Sequence, residues 1–336
     1  MYLDWQSIQY FYSYNCTSNN DFLVKYNTIP IIKYDSNNYK SIYGTNIQNF
    51  DMIKSINQVE ELKDLFINNN LIAFRPGCIE SSFLLKYYFN MDLNTHIHYV
   101  HNDIDYHIKN NAGLYYKNIN RKKEVLDWWC ENYIDLLNNS TFTSCYIALH
   151  FDIPLMAKLN LKGKYYSCNH LYRIILENSE NKKILYVGNN ILSIKTGYER
   201  DLKKLWKFPV SNFSMYYLQT PQTTLGMEYP HDTMIETCDE LINIINEKYN
   251  DFDTAIFSCG AYGSSLINIL RKLYPNKNLL YLGSDCFRMF GCYSHMQKWQ
   301  DIEPPENFNK EHVFEVLEEL PEGCKNHPEK KYWKKS

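Results

Sequence analysis

The sequence predicts an α/β fold: a Rossmann-like, mainly parallel sheet with helices on both faces. Three observations lead there. Apolar runs of strand length alternate with longer stretches of helical period through the second half of the chain. The strand centres, such as Ile184-Leu185-Tyr186-Val187 and Ala255-Ile256-Phe257, are apolar without interruption, as in strands buried on both faces. The joints between strands and helices are short and rich in Gly, Ser and Pro.

Taken in order, residues 1–60 are polar and aromatic with weak periodicity and read as an N-terminal extension packed on the main body. From Asn57 the run VEELKDLFINN has helical period and precedes a strand at 71–75. Pro76-Gly77 breaks the chain, and 81–89 reads as a helix. Residues 94–111 are irregular and rich in His, Asn and Asp, whereas 121–139 carry an amphipathic helical period and lead into a strand at 145–151. Further strands are expected at 182–188, 214–220, 254–260 and 278–284, the second of them ended by Pro221. Helices are expected over 193–206 after an initial loop, over 232–249 with Asp232 as N-cap, and over 264–274. From Trp299 the chain turns Pro- and Glu-rich and is expected to wrap the surface. The organisation is therefore an extension (1–60), an α/β domain (61–300) and a C-terminal wrapping segment (301–336).

Composition excludes several classes. A length of 336 residues with 45% hydrophobic content supports a substantial core and argues against wholesale disorder. A formal net charge of -3 argues against a nucleic-acid binder that works by bulk phosphate neutralisation. The start of the chain lacks a basic segment followed by an apolar one, and no apolar run is long enough to span a bilayer. A reducing cytoplasm is the expected compartment. The 10 cysteines fit it, being scattered without a CxxC pair and expected as buried thiols.

In such sheets ligands bind beyond the carboxyl ends of the strands, and four joints fall there. Ser258–Ser265 contains Gly260, Ala261, Tyr262 and Gly263. Glycines admit a close ligand and the first-turn amides of a helix attract an anion, but a tight turn needs the same residues. Arg75–Ser82 places Arg75 at a strand end and Glu80 in a first helical turn. Glu80 there is either an ordinary helix-start acid or a ligand for a cation bridging a diphosphate, with Arg75 on a phosphate oxygen. Gly188–Lys195 offers Ser193 and Lys195 to phosphate or ribose hydroxyls, or is a solvated polar loop. Tyr281–Gly291 contains Gly283, Arg288 and Asp285, the last placed where a sugar hydroxyl would want an acceptor.

Other features are read as structural. His96, His98 and His101 with Asp103 and Asp105 look like a metal cluster, but nothing fixes a fourth ligand, and an exposed polar hairpin is expected. Trp128-Trp129 reads as helix packing, and no GxSxG elbow supports Ser-His-Asp catalysis.

The order and wording of the joints resemble the GT-D-type glycosyltransferase family. Its R-x-G-x-x-E element is matched by Arg75, Gly77 and Glu80, and its N-A-G element by Asn111-Ala112-Gly113. Its S-I-K-x-x-Y-E-R-x-L-x-x-W element is matched by Ser193–Trp206, P-Q-T by Pro221-Gln222-Thr223, and C-G-A-Y-G by Cys259–Gly263. Leu282–Gly291 matches a further glycine-containing element loosely, with Ser284 and Phe287 as departures. Lys298-Trp299 and Tyr332-Trp333 complete the series, which covers most of the chain after residue 60.

The resemblance implies a hexosyltransferase that uses a nucleotide-diphosphate sugar, with UDP-sugars favoured, and a glycan hydroxyl as acceptor. It implies a donor site of Arg75, Gly77, Ser193, Lys195, Gly260, Ala261, Tyr262, Gly263 and Gly283. Glu80 would hold Mn²⁺ or Mg²⁺ behind the leaving diphosphate. Relatives carry an Asp-x-Glu pair there; Cys78 stands at the Asp position here, and thiolate suits these cations poorly. Either the metal is held more weakly, through Glu80 and the diphosphate, or the chain is metal-independent. A base for the acceptor, if configuration inverts, would be Asp152 or Asp285. The rival reading is a non-catalytic nucleotide- or glycan-binding module on the same fold. Neither nucleic acid nor a transmembrane segment is expected, and any self-assembly is expected to be a homodimer.

Overall fold

The computed structural model describes residues 57–90, 104–144, 155, 159, 165–166, 168–224, 229–293 and 308–319. Residues 1–56 of the expected extension, the three histidines of the polar hairpin, the strand expected at 145–151, Asp152, Trp299 and the Tyr332-Trp333 pair lie outside the described residues.

The described chain is α/β. Seven strands form one sheet: β1 (Ile72–Phe74), β2 (Phe142–Ser144), β3 (Tyr165–Tyr166), β4 (Lys183–Gly188), β5 (Ser214–Gln219), β6 (Thr254–Ser258) and β7 (Asn278–Tyr281). Their order is β3-β2-β1-β7-β6-β4-β5, and every pairing is parallel. The long pairs are β4 with β5, from Lys183↔Ser214 to Gly188↔Gln219, and β4 with β6, from Ile184↔Thr254 to Gly188↔Ser258.

The strand sequences have no polar face because both faces are covered. Successive side chains alternate sides, and the two cores divide accordingly. Leu185, Val187, Ala255, Phe257, Leu279 and Tyr281 enter one. Ile184, Tyr186, Ile256 and Leu280 enter the other. The first face is roofed by α2 (Cys78–Phe83), a π-helical turn over Leu84–Tyr88, α3 (Ile104–Asn110), α4 (Lys122–Asn139), α8 (Met234–Lys248) and α9 (Ala261–Leu273). The second carries α1 (Asn57–Ile67), α5 (Cys168–Glu177), α6 (Ile191–Glu199), α7 (Leu202–Leu205) and α10 (Cys286–Met289). Near α10, β8 (Cys292–Tyr293) pairs in parallel with β9 (Phe314–Glu315), and Trp206 forms an isolated bridge with Phe308. No helix among the described residues is long and apolar enough to cross a membrane.

Several helix limits differ from the sequence expectation, each for a local reason. Residues 104–110 form α3 within the stretch read as irregular, anchored by buried Ile108; Asp105 there bonds Lys122 at 2.7 Å. Helix α5 and strand β3 went unread, although Leu171, Ile174 and Ile175 have helical spacing and are buried. The helix expected over 193–206 is two. Asp201 takes a left-handed conformation (φ 68°) between them, and its side chain caps α7 by accepting from Lys203 N–H at 3.1 Å. Helix α8 begins after Thr233 rather than at Asp232, with Glu236 reaching back to accept from Thr233 N–H at 2.9 Å, half of a capping box. Trp129 is fully buried, Trp128 packs partly buried against the same core, and Cys130, Cys238, Cys259, Cys286 and Cys292 are buried free thiols.

Candidate functional site

The strand order creates one switch point among the described strands. From β4 the chain leaves through α6 on one face to reach β5; from the adjacent β6 it leaves through α9 on the other face to reach β7. The two connections part at the carboxyl ends of neighbouring strands, where open parallel sheets leave a crevice for ligands. Gly188 and Ser258 stand side by side at its floor, and a Cβ on Gly188 would come within 2.8 Å of the Ser258 carbonyl oxygen.

Polar side chains gather on the β4–β5 side. Asn189 donates from Nδ2 to Gln222 Oε1, and Gln222 Nε2 donates to Thr224 Oγ1. Thr223 Oγ1 donates to the Gly113 carbonyl at 2.7 Å, which ties the P-Q-T segment to the N-A-G segment. A cleft of about 550 Å³ opens alongside, lined by Gln219, Thr220, Pro221, Tyr229, Glu240 and Leu241. Tyr229 is stacked on Tyr115 there, ring centroids 4.5 Å apart. Of these residues the sequence points to Asn189, Gly113, Pro221, Gln222 and Thr223 as parts of joints or motifs, and not to Thr224, Tyr229, Glu240 or Leu241.

The start of α6 supplies Asn190 as N-cap and Ser193 in the first turn, both buried. Asn190 Nδ2 has no hydrogen-bond partner among the described residues. Lys195, expected on a phosphate, is exposed with its Nζ 3.9 Å from Glu199.

The start of α9 differs from the expected anion cradle. Ala261 N–H donates to the Ala112 carbonyl at 2.7 Å, Tyr262 N–H to Cys259 at 3.2 Å and Gly263 N–H to Gly260 at 3.1 Å. These three amides are spent inside the protein. The glycines serve close packing instead: Gly260 has φ 56° with a Cβ barred by Ala112 O, and a Cβ on Gly263 would enter the ring of Tyr281. Tyr281 in turn donates its hydroxyl to Gly260 C=O at 3.0 Å. Gly263→Ala is expected to lower stability by about 1–3 kcal/mol through overpacking. Thermal melts of the ligand-free protein check this, since a glycine kept only for ligand approach would leave the midpoint unchanged.

At the end of β1, Arg75 is buried and its guanidinium lies against Gly283, in the turn that follows β7. A Cβ on Gly283 (φ 55°) would lie 3.1 Å from Arg75 Cζ and closer still to Nη2. Gly283 therefore makes room for the cation. Glu80 folds back over Gly77, whose Cβ would stand 2.6 Å from the Glu80 carboxyl carbon. Asp285 belongs by its backbone to the turn Gly283–Asp285 just past β7.

Burial raises the Glu80 carboxyl above its ordinary value of 4.5, opposed by a backbone hydrogen bond and by the charge of Arg75. The folded state therefore holds this proton more tightly than the unfolded chain does. The associated stability is complete below pH 4.5 and is lost as pH rises through the folded pKa. Glu80→Gln, which cannot ionise, is expected to gain on the wild type as pH rises. Melts of both proteins between about pH 4 and pH 8 read the difference, and parallel curves would remove Glu80 as a buried acid.

A hard divalent cation takes several oxygen ligands. Among the described residues no group of three metal-ligating side chains occurs, and Glu80 is a single carboxyl, biased toward its neutral form by burial and influenced by a guanidinium.

Comparison with protein-family models, with curated proteins and with solved structures finds no match to this chain.

Proposed function

We propose that this chain is a glycosyltransferase that moves a hexose from a nucleotide-diphosphate sugar, a UDP-sugar in the first instance, to a hydroxyl of a glycan acceptor in the cytoplasm. The observation that carries the reading is the convergence of Arg75, Gly283, Asn190 and Ser193 on the carboxyl edge of one parallel sheet. Strands β1 and β4 are three interstrand spacings apart, roughly 14 Å, and Arg75 lies against Gly283 in the turn after β7. That span suits an extended nucleotide sugar lying across the ends of β4, β6 and β7.

The residues divide the work by chemistry. Once the Glu318 carboxylate that holds them is displaced, the Ser193 N–H and hydroxyl in the first turn of α6, with the Asn190 amide, would face phosphoryl oxygens, aided by the helix dipole. Arg75 supplies positive charge to the leaving nucleoside diphosphate as the glycosidic bond to phosphorus-bound oxygen breaks. The acceptor would enter from the cleft beside Tyr229, whose ring offers an apolar face to a sugar. Asp285, at the end of β7, is the base proposed for the acceptor hydroxyl if configuration inverts.

Incubation of the purified chain with UDP-, GDP- and dTDP-sugars, with release of the nucleoside diphosphate as readout, tests the reading. Release from at least one donor is expected. No release and no thermal shift with any donor or nucleoside diphosphate would sink it. The engagement of the α9 amides within the protein favours a second reading, a nucleotide- or glycan-binding module. Tight nucleotide binding without sugar release would select that one.

A further inference from the structure

The C-terminal segment makes one contact that the proposed transfer does not use. Past β9 the chain runs Val316-Leu317-Glu318, with Val316 N–H bonded to Tyr293 C=O at 2.9 Å. The Glu318 carboxylate closes on the first turn of α6. Its Oε1 accepts from Ser193 N–H at 2.9 Å, and its Oε2 accepts from the Ser193 hydroxyl. Leu317 N–H donates to that same hydroxyl oxygen at 2.9 Å. Two residues thus fasten onto one fully buried serine.

A helix N-terminus selects an anion, and a phosphoryl group makes the same contacts as a carboxylate. The carboxylate here leaves a donor over: Asn190, the N-cap of the same helix and only 5% exposed, has its Nδ2 without an acceptor among the described residues. A larger anion with more oxygens would answer it. Leu317 and Glu318 lie beyond the Cys292↔Phe314 and Tyr293↔Glu315 pairs, so their release breaks neither pair and costs the packing of Leu317 on the second core.

We propose that Glu318 is a built-in competitor for the phosphoryl subsite at the start of α6: it latches onto Ser193 when no donor is present and must lift for a diphosphate to bind. The latch rests on the reading of α6 as the diphosphate end of the donor site. It makes the C-terminal segment an autoinhibitory strap whose release accompanies donor entry.

The test uses the full chain and sodium pyrophosphate as probe, titrated into wild type, Glu318→Ala and Glu318→Gln, with hydrogen exchange followed at the Leu317 amide. Both variants are expected to bind pyrophosphate about tenfold more tightly, the factor for a latch closed about nine-tenths of the time. In the wild type, pyrophosphate is expected to accelerate exchange at Leu317. Unchanged affinity in both variants, no pyrophosphate binding by any form, or a Leu317 amide indifferent to pyrophosphate each overturns the latch. If Glu318→Ala does not fold, Glu318→Gln and the wild-type exchange data still decide. A latch that answers pyrophosphate in a chain that turns over no nucleotide sugar keeps the latch and removes the transferase. Turnover with a pyrophosphate-indifferent strap does the reverse.

Discussion

Arg75→Ala is expected to lower donor turnover by about 10²–10³-fold, the usual loss when one preorganised charge or donor is taken from a developing anion. Arg75 is buried at the end of β1, and the absence of a side chain at Gly283 makes room for its guanidinium beside the turn after β7. Its position is thus fixed by packing before substrate arrives, and little reorganisation is left for the reaction itself. Arg75→Lys is expected to recover only part of the loss, because an ammonium lacks the planar fork that meets two phosphate oxygens at once. Steady-state release of nucleoside diphosphate, beside a thermal melt that reports the fold, makes the measurement. Turnover within twofold of wild type in a folded Arg75→Ala protein would remove Arg75 from the chemistry.

Trp129→Ala should produce the largest loss of stability from a single change, about 3–5 kcal/mol. The indole is fully buried in the core of the first face, tilted 5.0 Å from Tyr133 and edge-on to Phe83 at 5.9 Å. Its Nε1 donates to the Ala261 carbonyl at 3.0 Å, which docks α4 on the first turn of α9. The truncation opens a cavity and also removes the indole donor from that carbonyl, which keeps only the Ser264 hydroxyl at 3.2 Å among its side-chain donors. A midpoint lower by on the order of 10 °C is expected for a chain of this size. Trp129→Phe keeps most of the volume and loses the hydrogen bond, so a milder loss separates the two contributions. An unchanged melting temperature for the alanine variant would contradict the packing of α4 against α9.

Strands β4, β6 and β7 were legible because their physics is local, whereas the two- and three-residue strands β3 and β2 are too short to carry a pattern. Uninterrupted apolar centres at 184–187, 255–257 and 279–281 belong to a sheet covered on both sides, and that is how they lie. The joints were legible as joints, since Gly77, Gly188, Gly260 and Gly283 each stand where a strand ends. What the joints do was less so. Sequence spacing could not reveal that Ala112 would occupy the Ala261 amide, because that contact depends on where the chain between α3 and α4 returns. Nor could it place Gly283 under Arg75, which requires β1 to lie beside β7 rather than a neighbour in sequence. Glu318 reaches Ser193 across 125 residues, and one acid among several in a Glu-rich segment carries no mark of such a partner. Helix α3 was missed for a different reason: its sequence is mostly polar, and among its described side chains only Ile108 is buried in the core.

The seating of β1 has a consequence for how the chain is made. This strand lies in the middle of the sheet, with β2 on one side and β7 on the other. The latter pairing is sealed by Leu71 N–H on the side chain of Asn278, a separation of 207 residues. During synthesis the earliest strand of the described sheet therefore waits, with one edge open, until almost the whole domain has emerged. Non-local parallel pairing of this kind closes long loops before it gains contacts, so it is slow and late. Chains halted before residue 278 present the unpaired edge of a central strand, the surface on which intermolecular strand addition begins.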